Sequence, residues 1–578
     1  MKAILVILIV FVSCNPNNNK PYYDFETHFE KSKGLETATY EQTIQFYENL
    51  AEVYPEIFID SIGETDSGKP LHLVILNKDL EFNFSEIRNN EKRILLIMNG
   101  IHPGESDGID ATMMLFRDFV NNNIEIPKNT VLATIPIYNI GGSLNRNSTT
   151  RTNQNGPKEY GFRGNARNYD LNRDFIKCDT KNTRTFTQIF HMVKPDVFID
   201  NHVSNGADYQ YTLTHLFTQH NKLGEDLGNY LHTQMATKLE QKLAEKKWDI
   251  TPYVNVFNQV PEEGFAQFLD YPRYSVGYTA LFNTLGITVE THMLKPYKQR
   301  VEGTYALMKS MIDITEEDGK EISSIRKNML LKLYGGKSYI LNWVVDTTKV
   351  STIKFKGYNA EKTTSEITGF NRLKYDQTKP FTKEVAYQNY FKPSLKVEIP
   401  KAYIIPQGWH RIIDLLKLND VEMIQIEKDT LIEVESYRIR DYKTRQQPYE
   451  GHYQHYDVFL SKLDESIKFI KGDYLINTNQ PSIRYILETL EPQGPDSFFN
   501  WNFFDTILQQ KEGFSPYVWE DKALKLLENN PELEATFEHR KKDLTVFRNN
   551  WYAQLDWLHK QSIHYEKAHL QYPVYRIN

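Results

Sequence analysis

A histidine and a glutamate three residues apart stand in a loop that follows an apolar run. The stretch ILLIMNGIHPGES contains His102 and Glu105, and the run before them has the composition of a buried strand. Imidazole nitrogen and carboxylate oxygen both bind zinc, and a catalytic zinc site uses three protein ligands and leaves one position for water. A turn histidine followed by a helix-start glutamate has the same spacing. This pair alone therefore leaves both interpretations open.

Two more residues capable of metal or acid–base chemistry follow apolar runs further along the chain. His202 comes just after DVFID, and Glu290 ends the run GITVE. In α/β sheets, ligands and reacting groups collect at the carboxyl ends of the strands. We therefore expect both residues to approach His102 and Glu105. A salt bridge at a strand end is the structural alternative for Glu290.

Four short motifs occur in the order typical of a known family. HPGE, DLNR, DNHVSNG and VETHM follow one another, and over residues 40 to 315 the chain resembles the zinc carboxypeptidases related to carboxypeptidases A and B. DLNRDF is the most specific element, and the ordered combination is more specific than any one motif. The resemblance implies a mixed-sheet α/β sandwich, one Zn²⁺ per chain and a peptide substrate.

The resemblance also assigns roles around the metal. It implies that His102, Glu105 and His202 are the zinc ligands, and that Asp170 holds the ring of His102 through its other nitrogen. Glu290 matches the catalytic glutamate, which takes a proton from the zinc-bound water and delivers it to the leaving amine.

Further family roles concern the substrate. Asn172 and Arg173 match the pair that grips a peptide's terminal carboxylate, for which a planar guanidinium is suited. Arg151 is the predicted stabiliser of the oxyanion, and Tyr274 is the predicted mobile tyrosine that closes over the substrate. Neighbouring residues of the same type remain alternatives: Arg163, Arg167, Tyr271 and Tyr278.

The chain also departs from the family's pattern. The usual Asn-Pro-Asp-Gly is NIGG from Asn139 to Gly142, and the insertion GPKEYGFRGNAR has no obvious counterpart. The sequence thus predicts a zinc-dependent metallocarboxypeptidase that hydrolyses the C-terminal bond of peptides. An amidase or peptidase acting on cell-wall or other unusual amides is the alternative enzyme. A non-catalytic binding protein on the same scaffold is less consistent with the presence of all three ligands and Glu290.

The first residues resemble an export signal. An apolar run precedes Ser13 and Cys14, which predicts a signal peptide over residues 1–13 and lipidation of Cys14, as in bacterial lipoproteins. Ordinary cleavage near Ser13 is the alternative. We expect an exported, membrane-anchored lipoprotein on the periplasmic or cell-surface face. The only other cysteine, Cys178, would then leave the mature chain without an internal disulfide.

Length and composition predict several domains. The 578 residues carry a formal charge of −7, and without a long basic run they give no argument for a nucleic-acid partner. The sequence does not indicate the oligomeric state. We predict a linker, the catalytic domain, a β-rich module and a mostly helical C-terminal region, at residues 14–39, 40–318, 319–445 and 446–578.

Other conspicuous side chains have structural interpretations. His215, His220 and His232 fit solvated or core roles better than a second metal site, whereas His292 could line the catalytic site. Aromatic residues near the C-terminus, Trp501, Phe503 and Phe504, could stack on sugars, although aromatic clusters are more often core.

Overall fold

A central eight-stranded mixed sheet organises the first half of the molecule. The computed structural model describes residues 23–578, so the predicted signal peptide and Cys14 lie outside the described residues. The strand order is β1-β2-β4-β3-β5-β9-β6-β7, and β3, β4, β5 and β9 run parallel to one another. These strands are β1 (Ile57–Glu64), β2 (Pro70–Leu76), β3 (Arg93–Met98), β4 (Thr130–Ile135), β5 (Val197–Ser204), β6 (Leu213–Phe217), β7 (Ile250–Pro252), β8 (Phe265–Ala266, outside this sheet) and β9 (Leu285–His292).

Helices cover the sheet. The helices of the first half are α1 (His28–Lys31), α2 (Tyr40–Val53), α3 (Phe84–Asn89), α4 (Asp107–Val120), α5 (Ile140–Leu144), α6 (Lys181–Val193), α7 (His220–Leu223), α8 (Glu225–Asn229), α9 (Ala236–Glu245), α10 (Ser275–Ala280) and α11 (Tyr297–Tyr334). Helices α4 and α11 pack on each other and against the central strands, whereas α6 packs on β1 and β2 and α10 on β5 and β9. The predicted mixed-sheet α/β sandwich is confirmed.

Local sequence explains the part of the sheet that carries the site. Every residue of β3 is buried, as the apolar run over residues 94–98 predicts for a strand covered on both faces. Helix α4 then crosses close to β5, and a Cβ on Gly108 would lie 2.4 Å from Cβ of Asn201. Only a glycine permits this approach of helix to strand.

The second half contains three further sheets. Its strands are β10 (Ser338–Val345), β11 (Ser351–Thr364), β12 (Asn371–Gln388), β13 (Phe391–Glu398), β14 (Ala402–Ile405), β15 (Ile424–Gln425), β16 (Thr430–Thr444), β17 (His455–Phe469), β18 (Tyr474–Asn477) and β19 (Tyr575–Ile577). They form the pair β10-β13, the sheet β11-β12-β8, and the six-stranded sheet β15-β18-β14-β19-β16-β17. The remaining helices are α12 (His410–Leu418), α13 (Ile483–Leu490), α14 (Pro516–Glu528), α15 (Pro531–Asp543), α16 (Thr545–Arg548) and α17 (Trp551–Lys560).

Two predicted domain boundaries are wrong. The boundary at 318/319 falls inside α11, which is continuous from Tyr297 to Tyr334. The boundary at 445/446 falls in the turn of the β16–β17 hairpin, whose strands pair along most of their length. The region 446–578 therefore contributes strands as well as helices, and β19 completes a sheet begun before residue 445.

One hydrophobic core joins the two halves. It includes residues of the central sheet together with residues of α13, and the ring of Phe282 stacks on that of Tyr485 with centroids 6.0 Å apart. Trp501 and Phe504 are fully buried, so these aromatics form core, and Phe503 packs partly buried against it. Among residues 23–578, no helix combines the length and apolar character needed to cross a membrane.

Candidate metal centre and catalytic cavity

His102 and Glu105 lie in the tight loop between β3 and α4. The backbone N–H of Glu105 donates to the carbonyl of His102 (2.8 Å), which closes the turn. Both side chains are buried, with 3% and 4% of their surfaces exposed. Because β3 and α4 hold the two ends of the loop, the imidazole and the carboxylate are fixed near one another, with His102 Nδ1 3.3 Å from Glu105 Oε1.

The third candidate ligand comes from the neighbouring strand. His202 lies on β5, which pairs in parallel with β3, and its Nδ1 is 3.0 Å from Glu105 Oε2. Ligand atoms of His102, Glu105 and His202 all lie within 4.8 Å of one another. His102 Nδ1 is buried and has no hydrogen-bond partner among the described residues. Two imidazoles and a carboxylate with an unsatisfied inward nitrogen fit a catalytic zinc, which takes three such ligands.

Each histidine is oriented by a carboxylate behind it. His102 Nε2 donates to Asp170 Oδ1 (2.9 Å), and His202 Nε2 donates to Asp200 Oδ2 (2.8 Å). These bonds place the proton on Nε2 and leave Nδ1 free to bind a cation. Asp170 matches the sequence-based prediction in position, whereas Asp200 was not predicted. The sequence nevertheless contained an indication of Asp200. Residues i and i+2 of a strand point to the same face, and Asp200 precedes His202 by two.

Glu290 stands beside this cluster on β9. The strand pairs in parallel with β5, and the register places Glu290 opposite His202. Burial raises the pKa of the Glu290 carboxyl to about 8; the His202 ring opposes this shift and the Glu105 carboxylate adds to it. Its Oε2 is buried and accepts no hydrogen bond within the described part of the chain. A carboxylate held in this way can exchange a proton with a molecule bound in the cavity.

The residues predicted to bind a terminal carboxylate lie on the same cavity. Asn172 and Arg173 belong to a single 3-10 turn, Leu171–Arg173, which the Asp170 side chain caps by accepting from the Asn172 N–H (3.0 Å). The Arg173 guanidinium lies over the Tyr274 ring, 4.6 Å from its centroid. Asn172 Oδ1 accepts from the N–H of Ser275 (3.0 Å), so the turn is tied to the segment that carries Tyr274.

The candidate arginines and tyrosines occupy different places. Arg151 Nη2 donates to Glu105 Oε1 (2.7 Å), whereas Arg163 pairs with Asp170 (2.8 Å) and lies 3.6 Å from Glu105. Both line the cavity, and the alternative Arg167 does not. Among the three candidate tyrosines only Tyr274 lines it, since Tyr278 is fully buried and donates to Asn419.

The cavity is large enough for a peptide end. Its volume is about 710 Å³, and it brings together the candidate ligands, Glu290 and the carboxylate-binding pair. Its other walls combine polar residues, such as Asn153, Ser204 and Asn255, with these apolar or aromatic ones: Phe162, Leu216, Tyr253, Phe257, Phe268 and Val276. Amid them stands Asp270, whose carboxylate forms an ion pair with Lys222 (3.3 Å).

Other histidines singled out from the sequence do not reach this cavity. His292 approaches Asp208 (3.3 Å) and packs on Tyr209, away from the catalytic wall. His215, His220 and His232 line a separate cavity of about 160 Å³, where the rings of His220 and His232 are stacked 4.2 Å apart. Cys178 is a buried free thiol.

Comparisons with known proteins agree with this geometry. Residues 43–204 match the Peptidase_M14 family model, zinc carboxypeptidase. Carboxypeptidase 2 of Trichophyton rubrum is 22% identical over 446 residues, covering 72% of this chain and 76% of that protein. Carboxypeptidase 2 of Trichophyton equinum is 21% identical, covering 71% and 74%.

Solved metallocarboxypeptidases resemble part of the chain. A metallo-carboxypeptidase from Burkholderia cenocepacia matches at 16% identity and a TM-score of 0.36, over 49% of this chain and 70% of that one. Carboxypeptidase A from Helicoverpa armigera matches at 13% identity with the same TM-score, over 49% and 74%. The zinc carboxypeptidase model matched over residues 43–204, the curated relatives and the His-Glu-His cluster together identify the chain as a metallopeptidase with a site for one metal ion.

Proposed function

We propose that the protein removes the C-terminal residue of peptides. The observation that carries this proposal is the common cavity of the His-Glu-His cluster, Glu290 and the stacked pair Arg173–Tyr274. A guanidinium beside an amide side chain binds a carboxylate through several charge-assisted hydrogen bonds. Such a site favours substrates whose free terminus lies one residue from the bond that is cut.

Glu290 serves as the proton carrier in this proposal. In its ionised form the Glu290 carboxylate accepts a proton from the attacking water and returns it to the leaving amine. Zinc, when held by His102, Glu105 and His202, supplies Lewis-acid polarisation and lowers the pKa of water to near neutrality. Asp170 and Asp200 keep both imidazoles in the tautomer that can bind the metal.

Two arginines compete for the role of stabilising the oxyanion. The sequence favoured Arg151, whose positive charge acts on the Glu105 carboxylate. The positive charge of Arg163 acts on Glu290 as well as on Glu105 and Asp170. We therefore favour Arg163, because its charge acts both on the candidate ligand Glu105 and on Glu290, and preorganised charge at such a place stabilises an oxyanion.

Matched peptides test the exopeptidase assignment. A pentapeptide with a free C-terminal carboxylate and the same peptide with a C-terminal amide are incubated with zinc-loaded protein, and the products are read by mass. We expect loss of one residue from the first peptide and a much slower reaction with the second. Equal cleavage of both, or cleavage of a cell-wall fragment only, would favour the amidase alternative.

A variant of the carboxylate site sharpens this test. Arg173→Ala should raise KM for the free-carboxyl peptide about 10- to 100-fold, because a charge-assisted pair is lost. Arg372→Ala, at an exposed position on β12, is the matched control. If Arg173→Ala leaves KM unchanged, the terminal carboxylate is not bound there.

We propose that the protein is exported and anchored to a bacterial membrane through lipid on Cys14. The support is the apolar run that ends at Ser13 and Cys14. The wild-type chain and Cys14→Ser are expressed, and the cells are fractionated. We expect the wild type in the membrane fraction and Cys14→Ser in the soluble exported fraction. Identical fractionation of the two would exclude the anchor.

A further inference from the structure

The tip of the β16–β17 hairpin touches the loop that carries the carboxylate-binding pair. Residues 449–452, named here the clamp turn, are closed by the N–H of Tyr449 donating to the carbonyl of His452 (2.7 Å) and by the reverse bond (3.1 Å). From this turn, Glu450 Oε2 accepts from the backbone N–H of Asp170 (2.9 Å). The contact joins residues 280 positions apart in the sequence.

Asp170 makes the most contacts of the loop over residues 169–173, named here the catalytic loop. Its side chain accepts from His102, pairs with Arg163 and caps the turn that contains Asn172. Arg173 Nη1 lies 3.9 Å from its Oδ2. A hydrogen bond to the Asp170 backbone therefore fixes the point from which both carboxylate-binding side chains project.

The clamp turn keeps an unfavourable residue at its first central position. Glu450 has φ +48° and Gly451 has φ +81°, the left-handed pair typical of two-residue hairpin turns that favour Asn-Gly. A non-glycine residue is disfavoured in this conformation, and strain of this kind persists where the surroundings require it. A Cβ on Gly451 would lie 2.9 Å from Tyr169 Oη, so the turn is pressed against the residue that precedes Asp170.

Two more contacts reinforce the clamp. His452 Nε2 donates to Asp179 Oδ2 (2.7 Å), beyond the other end of the catalytic loop. Tyr449 lies against Arg273, whose guanidinium is 5.9 Å from the ring centroid and is paired with Asp496 (2.9 Å). Arg273 directly precedes Tyr274, and Glu450 contacts the loop that carries Arg173. The C-terminal region therefore contacts the segments that carry both partners of the Arg173–Tyr274 stack.

We infer that Glu450 is a positioning residue for peptide binding: it sets the loop of Asn172 and Arg173 so that they meet the substrate's terminal carboxylate. This inference rests on the proposed exopeptidase function. It gives the region after α11 a task in the reaction, because without the clamp turn the catalytic loop loses its anchor on that side. Zinc binding should be independent of it, since His102 and Asp170 contact each other directly.

The experiment uses full-length, zinc-loaded protein and the same free-carboxyl and amidated peptides. Glu450→Gly removes the carboxylate and relieves the positive φ, so the turn itself is preserved. Glu450→Gln keeps an acceptor oxygen at the same reach. Glu433→Ala removes an exposed glutamate from β16 of the same hairpin and is the control. The readouts are kcat, KM, thermal midpoint and zinc per chain.

We expect Glu450→Gly to raise KM for the free-carboxyl peptide about tenfold with kcat changed less than twofold. Activity on the amidated peptide, thermal midpoint and zinc content should match wild type, and Glu450→Gln should restore KM. An unchanged KM in Glu450→Gly, or equal losses on the two peptides, would overturn the inference. A wild-type protein that does not prefer the free carboxylate would instead refute the proposed function, and this is seen before any variant is compared.

Discussion

The edge of the central sheet and the region after α11 contribute to the cavity in different ways. At the sheet edge, the reactive side chains lie just after or near the ends of adjacent strands, so β3, β5 and β9 bring His102, His202 and Glu290 together directly. The later region reaches the catalytic loop through backbone and ion-pair contacts, such as that of Glu450 with Asp170. The comparison indicates that chemistry is encoded in short motifs, whereas substrate positioning depends on contacts distant in sequence.

The largest effect should come from the sheet edge. Glu290→Gln removes the proposed proton acceptor while preserving the size of the side chain, so kcat/KM should fall roughly 10²–10⁴-fold. Zinc content should stay at one per chain, because Glu290 is not one of the three candidate ligands. Peptide kinetics and metal analysis provide the measurements. Glu302→Gln, exposed on α11, is the control, and a fall of less than tenfold in Glu290→Gln would remove Glu290 from the reaction.

Removal of Arg163 and removal of Arg151 should lower kcat by factors that differ about tenfold. Arg163→Ala should lower kcat about 10²–10³-fold, as does loss of one preorganised donor to an oxyanion. Arg151→Ala should lower it less, because its guanidinium pairs with Glu105. Steady-state kinetics of both variants measure the difference. The reverse order would restore Arg151, the residue that the sequence alone favoured.

Substitution of a carboxylate that orients a candidate histidine ligand should lower the affinity for zinc. Asp200→Asn weakens the hydrogen bond that fixes the tautomer of His202, so zinc affinity should fall about 10- to 100-fold. Competition with a chelator measures the zinc affinity of the wild type and the variant. Asp464→Asn, exposed on β17, serves as the control and should bind zinc as the wild type does. An unaltered affinity in Asp200→Asn would mean that the His202–Asp200 bond is structural.

The central sheet was largely predictable, and the later region was not. Apolar runs such as that of β3 identify buried strands because both faces of these strands are covered. The boundary at 318/319 was placed near the change to short β-like segments, yet α11 continues through it to Tyr334. Strand β19 pairs with β14, more than 160 residues away in sequence, and no local pattern sets such a pairing.

The candidate site also contains residues that the sequence could identify and one that it could not. His102, Glu105, His202 and Glu290 could be identified because motif order and strand ends act together. Asp200 could have been found from strand alternation, since it lies two residues before His202. Glu450 could not, because its role arises from a hairpin tip whose position depends on the packing of the whole C-terminal region.

The final prediction concerns stability within that later region. Glu488 on α13 is buried and accepts from Tyr339 Oη (3.0 Å), and burial raises its pKa to about 7. The folded state therefore keeps a proton that the unfolded chain releases above about pH 4.5. The free energy of unfolding should fall by about 3 kcal/mol between pH 4.5 and pH 7 through this group, and level off above pH 7.

Glu488→Gln is neutral throughout this range and should lose that part of the pH dependence. Urea unfolding of the wild type and the variant at pH 5 and pH 8 measures the difference, with Glu528→Gln, exposed on α14, as the control. Turnover of the free-carboxyl peptide should be unchanged, because Glu488 does not line the catalytic cavity. A parallel pH dependence of stability in wild type and Glu488→Gln would contradict the prediction. Loss of turnover in Glu488→Gln would instead show that a buried group of the region after α11 influences the reaction in addition to the clamp turn.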